Sequence, residues 1–174
     1  MNSRGFTLVE LVIGIVVLAI AMLTMNTMLI SQSKDALEPL YRLRASQLGQ
    51  SIMQSVLSRA YDEKSDHNGG LYRCDEVWQP ANTLHPCSTV LGIDGTEVAG
   101  EHENYNDVDD FITNGFQAAV NYGDVLGDAL PEQYNNYAID ISVEVLRSSS
   151  KKVVVTVKTP SSEEIRFSAL KGNY

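Results

Sequence analysis

A long apolar run near the N-terminus constrains this chain more than any other feature. Between Phe6 and Ser33 the only charged side chain is Glu10. A helix rises about 1.5 Å per residue, so roughly 20 apolar residues cross a bilayer core, and the stretch from Leu11 to Ile30 is long enough. A carboxylate in such a helix costs on the order of 3 kcal/mol on insertion scales. Glu10 therefore indicates a functional site whose partner has to be found.

The residues before the apolar run argue against an ordinary secretory signal. Such a signal has a basic start, a short apolar core and then a small-residue cleavage site. Here the hydrophilic "MNSRG" comes first, and Gly5 precedes the apolar stretch. A cut at "LAIA" (18–21) is the alternative, although it would discard Glu10. Arg4 before the run and no basic cluster directly after it favour a single-pass helix with a cytoplasmic N-terminus.

Charge and cysteine content narrow the class of protein. The 174 residues carry a net charge of −9, which argues against a nucleic-acid partner. The densest basic stretch, "SSSKK" at 148–152, is predicted to be a turn. Cys74 and Cys87 fit an oxidising compartment, where a disulfide closing a loop of about 14 residues would add roughly 3 kcal/mol. Zinc would need two further ligands, and the chain has no CxxC motif.

The motif "G-F-T-L-V-E-L" at 5–11 resembles the class III signal of type IV pilins and of the related pseudopilins. The resemblance implies that a prepilin peptidase cuts after Gly5 and methylates the new amino terminus, Phe6. It also implies that Glu10 pairs with the N-terminal amine of the adjacent subunit, since an unpaired buried charge costs about 3–5 kcal/mol. The alternative for Glu10 is a carboxylate that snorkels to the cytoplasmic interface.

The same resemblance implies partners and a location. The partners would be other pilins, the prepilin peptidase, the inner membrane and the pilus assembly platform of a Gram-negative bacterium. The C-terminal part would lie first in the periplasm and later in an extracellular pilus. The stretch "SQLGQSIMQSVLSRAYDEKSDHNGG" at 46–70 further resembles the D-type minor pilins of the mannose-sensitive haemagglutinin (MSHA) pilus.

Three functions stay open on this basis. The first is a minor structural subunit of an MSHA-like type IV pilus, which supports pilus biogenesis and surface attachment. The second is a pseudopilin of a type II secretion system. The third is a pilus-borne adhesin or tip subunit in which residues 62–136 bind a ligand.

The sequence predicts an α+β chain with the type IV pilin fold. Its parts are a cleaved leader (1–5), a transmembrane and assembly helix (6–30), an amphipathic spine helix (31–61) and a globular α+β head (62–174). Pro39 should bend or loosen the helix. The spine carries an apolar stripe with steps of three or four residues, which predicts a face that packs on the head: Leu37, Tyr41, Ala45, Leu48, Ile52, Val56 and Ala60.

The C-terminal third predicts an antiparallel sheet of at least three strands. Apolar residues alternate with polar ones, the pattern of half-buried strands. The predicted inward positions are Tyr137, Ile139, Ile141, Val143 and Val145, then Val153, Val155 and Val157, then Ile165, Phe167 and Ala169. The spine helix is the expected cover for this face.

The middle of the chain carries one notable loop, "EHENYNDVDDF" at 101–111. Its acids could bind calcium, as some pseudopilins do, through Glu103, Asp107, Asp109 and Asp110. The spacing of an EF-hand is absent, and a solvated acidic loop is the commoner outcome. No other cofactor is predicted. Phe111, Phe116, Ala119, Val120 and Tyr122 could form a short helix on the sheet.

Catalytic patterns are missing from the sequence. His67, His85 and His102 are scattered, and there is no HExxH, G-x-S-x-G or phosphate-binding loop. The chain is therefore predicted to have no catalytic residues and not to be an enzyme.

Overall fold

The computed structural model describes residues 7–65, 72–78, 82–95, 97–123, 129–147 and 149–173. The chain forms two compact units, residues 1–40 and 41–174. Helix α1, Leu8–Leu57, contributes residues to both units and carries Pro39 in its interior. It ends at Leu57, short of the predicted residue 61, so Ala60 of the predicted stripe lies beyond the helix.

The N-terminal unit exposes its apolar side chains. The stretch Leu8–Met28 is 21 residues long, has a mean hydropathy of 2.7 and is not buried anywhere. It is the one helix segment in the described part of the chain that is long and apolar enough to cross a membrane. Because every side chain in the stretch is exposed, the apolar surface is available to lipid or to other chains.

In the second unit, four antiparallel strands form a sheet in the order β3-β4-β5-β6. The strands are β3 (Gln117–Ala118), β4 (Ala138–Arg147), β5 (Ser150–Lys158) and β6 (Glu164–Gly172). The predicted antiparallel sheet is thus confirmed, with a short fourth strand at one side. A separate two-stranded sheet pairs β1 (Val77–Trp78) with β2 (Thr83–Leu84).

The β4–β5 connection is tighter than predicted. Arg147 pairs with Ser150, so only two residues separate the strands, as in the commonest hairpins. The predicted turn at 148–152 is therefore wrong over its second half, since Lys151 and Lys152 belong to β5. Side chains alternate along a strand, so these two lysines face opposite sides of the sheet.

The core of the second unit lies between α1 and the sheet. Ala45, Leu48, Ile52 and Val56 of the predicted stripe are buried, whereas Tyr41 is only partly buried and Leu37 is exposed, so the prediction is wrong for Leu37. From the sheet, the predicted inward residues of β4 and β5 join this core, except that Val145 is exposed. Ile165, Phe167 and Ala169 of β6 are partly buried against the same core. The predicted packing of a helix on one sheet face is confirmed.

A glycine permits the close approach of α1 and β6. A Cβ atom at Gly49 would collide with the ring of Phe167. The missing side chain therefore makes room for an aromatic ring against the helix backbone, a role that compensates for the low helix propensity of glycine.

The predicted short helix over 111–122 is mostly wrong. Its residues form β3 and a 3-10 helix at Ala119–Asn121. Phe111, Ala119 and Tyr122 are buried, while Phe116 and Val120 are exposed. The backbone instead extends the sheet, because Gln117 pairs with Ile139 of β4. A second 3-10 helix spans Glu132–Tyr134.

Candidate functional site

The start of α1 places Glu10 in the first helical turn. The backbone N–H of Glu10 donates to Thr7 Oγ1 at 3.3 Å, so Thr7 caps the helix. The spacing Thr7-x-x-Glu10 is that of a capping box. A negative charge is also favoured near a helix N-terminus. The helix start thus lowers the cost of keeping a carboxylate beside an apolar run.

The side chain of Glu10 is exposed, and within the described part of the chain no ion pair involves it. The predicted cleavage and methylation positions, Gly5 and Phe6, lie outside the described residues, as does His67. The predicted pairing of Glu10 with the N-terminal amine of an adjacent subunit therefore stays a prediction.

Cys74 and Cys87 form a disulfide, as predicted. The residue that follows the bridge contacts a buried carboxylate. The backbone N–H of Ser88 donates to both carboxylate oxygens of Asp62, at 3.0 and 3.1 Å. Asp62 lies just after the end of α1 and is fully buried. The disulfide thus holds a donor against the carboxylate that follows the helix.

Lys151 is the most unexpected residue of the head. It is 2% exposed and lies at the inward-facing end of β5. Its Nζ donates to Tyr61 O at 2.6 Å, to Asp62 Oδ2 at 3.3 Å and, at shorter range, to Asp109 Oδ1. The ammonium also lies 4.7 Å from the centre of the Tyr61 ring. One cation therefore joins the end of α1, the 101–111 loop and the sheet.

The pKa values of this cluster follow from burial and pairing. Burial alone would lower the pKa of Lys151, but the hydrogen bond and charge of Asp109 outweigh it, and the net shift is upward. Burial likewise favours neutral Asp62, but the amides of Lys64 and Ser88 and the charge of Lys151 lower its pKa. The cluster is thus held as an ammonium with a carboxylate on either side.

Further carboxyl groups lie near this cluster, and the pKa values of two of them are raised. Burial, followed by the charge of Asp109, raises the pKa of Asp107 to about 8. Burial and a hydrogen bond with Asp110 raise the pKa of Glu97 to about 6. The loop therefore contains more carboxyl groups than Lys151 can neutralise, and the carboxyl group of Asp107 holds a proton near neutral pH.

The expectation of a solvated acidic loop is wrong for three of the predicted residues. Asp107, Asp109 and Asp110 are each at most 3% exposed, while Glu103 is exposed. The short loop folds inward because its carboxylates cap its own amides. Asp107 Oδ1 accepts from the N–H of Asp109, and Asp110 Oδ2 accepts from those of Asn106 and Asp107.

The calcium ligation predicted for Glu103, Asp107, Asp109 and Asp110 stays a prediction. Asp109 is occupied on one oxygen by Lys151 and on the other by the N–H of Gly92. In the described ranges, the one group of three or more His, Cys, Asp or Glu ligand atoms within 4.8 Å of each other is Asp62, Cys74 and Cys87. Both of these cysteines are bonded to each other. Glu103, Asp107, Asp109 and Asp110 therefore do not form a second group of this kind among the described residues.

His102 lies in an aromatic cluster and not in a catalytic one. Its ring stacks on Tyr122 with centroids 4.2 Å apart and lies 5.1 Å from Tyr105. Burial lowers its pKa, which keeps the imidazole neutral. His85 stacks on Tyr72 at 4.9 Å. Both described histidines thus pack against aromatic side chains.

Comparison with known proteins gives one finding, which concerns the N-terminus. Residues 1–26 match the family model described as the prokaryotic N-terminal methylation motif. The match supports a type IV pilin-like protein, made as a precursor of the pilin or pseudopilin kind. It suggests a structural subunit and implies processing by a prepilin peptidase and assembly with other pilins. Searches among curated proteins and among solved structures gave no match.

The roles of three residues described above were not predicted from the sequence. Thr7 carried a usable signal, the Thr-x-x-Glu spacing before an apolar run. Lys151 carried a weaker one, because it continues the inward alternation of Val153 and Val155. Asp62 had no local signal, since its partners lie 26 and 89 residues away in the sequence.

Proposed function

We infer that the chain is a minor structural subunit of an MSHA-like type IV pilus, made as a prepilin and assembled through its N-terminal helix. The observation that carries this proposal is a fully exposed apolar stretch, Leu8–Met28, with Glu10 in its first turn. The methylation motif over residues 1–26 supports it. The likeness of residues 46–70 to D-type minor pilins favours the pilus over other assemblies.

The proposed assembly step depends on charge pairing. Cleavage after Gly5 would leave a free amine on Phe6, four residues before Glu10. In an assembled filament, the Glu10 carboxylate would accept the methylated amine of a neighbouring subunit. A subunit in the wrong axial position would leave a buried charge unpaired, which costs about 3–5 kcal/mol. Glu10 would thus set the register of docking.

The proposal includes a location and partners. The precursor would span the inner membrane once, with its N-terminus in the cytoplasm and its head in the periplasm. It would meet the prepilin peptidase, the assembly platform and the other pilins, and would then enter an extracellular pilus. The disulfide of the head supports an oxidising compartment.

The proposal is tested by the substitution Glu10→Gln, which keeps the size and removes the charge. The variant should be inserted in the membrane and cleaved, but it should be absent from sheared pili. The control is Gly5→Val, which should accumulate at the precursor size because a branched residue replaces the small one at the cut. If Glu10→Gln enters pili as well as the original protein does, the charge pair does not place this subunit.

A pseudopilin of a type II secretion system is the alternative, because the methylation motif fits it equally. Deletion of the gene separates the two functions. Fewer pili and weaker attachment with normal secretion support the pilus, whereas lost secretion with normal piliation supports the pseudopilin.

The adhesin or tip-subunit alternative has one observation in its favour. A cavity of about 410 Å³ lies beside the aromatic cluster and is lined by His102, Tyr122 and the amides of Asn114 and Gln117, among others. Its volume is within the range of small-molecule sites. Binding of glycans by the purified protein, lost on Gln117→Ala, would favour this alternative.

A further inference from the structure

We propose that the ammonium of Lys151 is the structural cation of the head, in the place that a bound metal ion would take. Folding of residues 41–174 then does not depend on calcium. The proposal concerns the head alone and does not rest on the proposed pilus function.

The oxygens around Lys151 are those that calcium prefers. Nζ contacts one backbone carbonyl, of Tyr61, and two carboxylates, of Asp62 and Asp109. Carbonyl and carboxylate oxygens are the usual protein ligands of Ca²⁺. All three charged side chains are at most 3% exposed. A cation is therefore required at this point, and the chain provides one covalently.

The remaining oxygens of these carboxylates are already occupied. Asp62 Oδ1 accepts from the N–H groups of Lys64 and Ser88, at 3.0 Å each. Asp109 Oδ2 accepts from the N–H of Gly92 at 3.3 Å. A metal ion bound by both carboxylates at this point would have to displace the ammonium of Lys151.

The position of Lys151 explains how one side chain can join three segments of the head. It occupies the inward end of β5, where Val153, Val155 and Val157 continue the same face. Its two carboxylate partners lie 89 and 42 residues away in the sequence. The ammonium thus ties three distant segments together, as structural metal ions do in other small domains.

The experiment is thermal unfolding of the full chain in detergent, followed by circular dichroism in excess EDTA and in millimolar CaCl2. The unaltered protein should have the same Tm in both. Lys151→Met should lower the Tm by roughly 10 °C in both solutions, because it leaves two buried carboxylates unpaired. The matched control is Lys152→Met, on the opposite face of β5, which should shift the Tm by only about 1–2 °C.

A third variant tests the equivalence of ammonium and metal. Lys151→Ser leaves an opening between the carboxylates of Asp62 and Asp109, so CaCl2 should raise its Tm by several degrees relative to EDTA. If the variant does not fold in EDTA, recovery of folded protein in CaCl2 is the readout. Failure of calcium to help Lys151→Ser in either readout overturns the equivalence.

A second result overturns the proposal independently of any variant. If EDTA lowers the Tm of the unaltered protein and CaCl2 restores it, the head does bind a required cation. That cation would then lie elsewhere, for example near Glu63 Oε2 and Asn106 Oδ1, buried oxygens for which the described residues provide no hydrogen-bond donor. A Lys151→Met protein as stable as Lys152→Met would overturn the role of the ammonium itself.

Discussion

The two units of this chain treat apolar and charged residues in opposite ways. The stretch Leu8–Met28 exposes every apolar side chain and carries a single acid. The unit 41–174 buries Lys151, Asp62 and Asp109 at 3% exposure or less. The difference shows that a charged side chain is buried where an oppositely charged partner is buried beside it. The buried charges of the head have their partners within the head, whereas no described residue forms an ion pair with Glu10.

Among the changes that test this comparison, removal of the disulfide of the head has the largest expected effect. The double substitution Cys74→Ser, Cys87→Ser should lower the free energy of unfolding by about 3 kcal/mol, because it releases the loop that holds Ser88 against Asp62. Urea unfolding of the detergent-solubilised chain, monitored by far-UV circular dichroism, measures the loss. The original protein in dithiothreitol is the control and should unfold at the same urea concentration as the variant. An unchanged midpoint in the variant would mean that the bridge does not support the buried charges.

A smaller effect, dependent on pH, is expected from Asp107. Its pKa rises from 3.8 to about 8 on folding, so its contribution to stability is complete below about pH 4 and is lost as the pH rises through about 8. The lowered pKa of Asp62 acts in the opposite sense, since its contribution is present above about pH 4 and is lost as the pH falls. Between pH 6 and 8, above the pKa of about 6 of Glu97, the decrease in stability should therefore follow Asp107.

The substitution Asp107→Asn keeps the oxygen that accepts from Asp109 and removes the proton-binding site. Relative to the original protein, the variant should gain on the order of 1–3 kcal/mol at pH 8 and little at pH 5. The free energy of unfolding from urea titrations at the two pH values measures this. Glu103→Gln, at an exposed position, is the matched control and should leave the pH profile unchanged. A gain of equal size at both pH values would assign the effect to packing and not to titration.

The smallest expected effect on folding is that of Glu10→Gln. No described residue forms an ion pair with Glu10, so the midpoint of urea unfolding of the head should not move, although the same variant should be missing from pili. A lowered midpoint would show that Glu10 contributes to the head, and the contrast between the two units would fail. Phe167→Ala is a suitable positive control, because it removes a ring packed against Gly49.

Patterns that are local in sequence were read correctly. The period of two in β4 and β5 identified Ile139, Ile141, Val153 and Val155 as core residues, and all four are 0% exposed. The disulfide followed from the number of cysteines and their spacing. Such features depend on neighbours within a few residues, or on a pair without competitors, so no knowledge of the fold is needed.

Patterns that depend on distant partners were read incorrectly. The acids of 101–111 were expected in solvent because an acidic loop is normally hydrated, and Lys151 was expected in a turn because it belongs to the polar stretch "SSSKK" between two predicted strands. Both expectations omit the pairing that makes burial possible. Val145 was expected in the core, but it lies near the end of β4 and is 47% exposed.

The sequence by itself determined the exposed apolar helix, the processing motif at residues 1–26 and the alternation of the sheet, because each depends on residues that are adjacent or regularly spaced. Only the tertiary structure decided that Lys151 neutralises Asp62 and Asp109, since these residues meet only when the end of α1, the 101–111 loop and β5 are packed together. The physical reason is that burying a charge is favourable only when its partner is buried with it. Which residues are partners is a property of the fold.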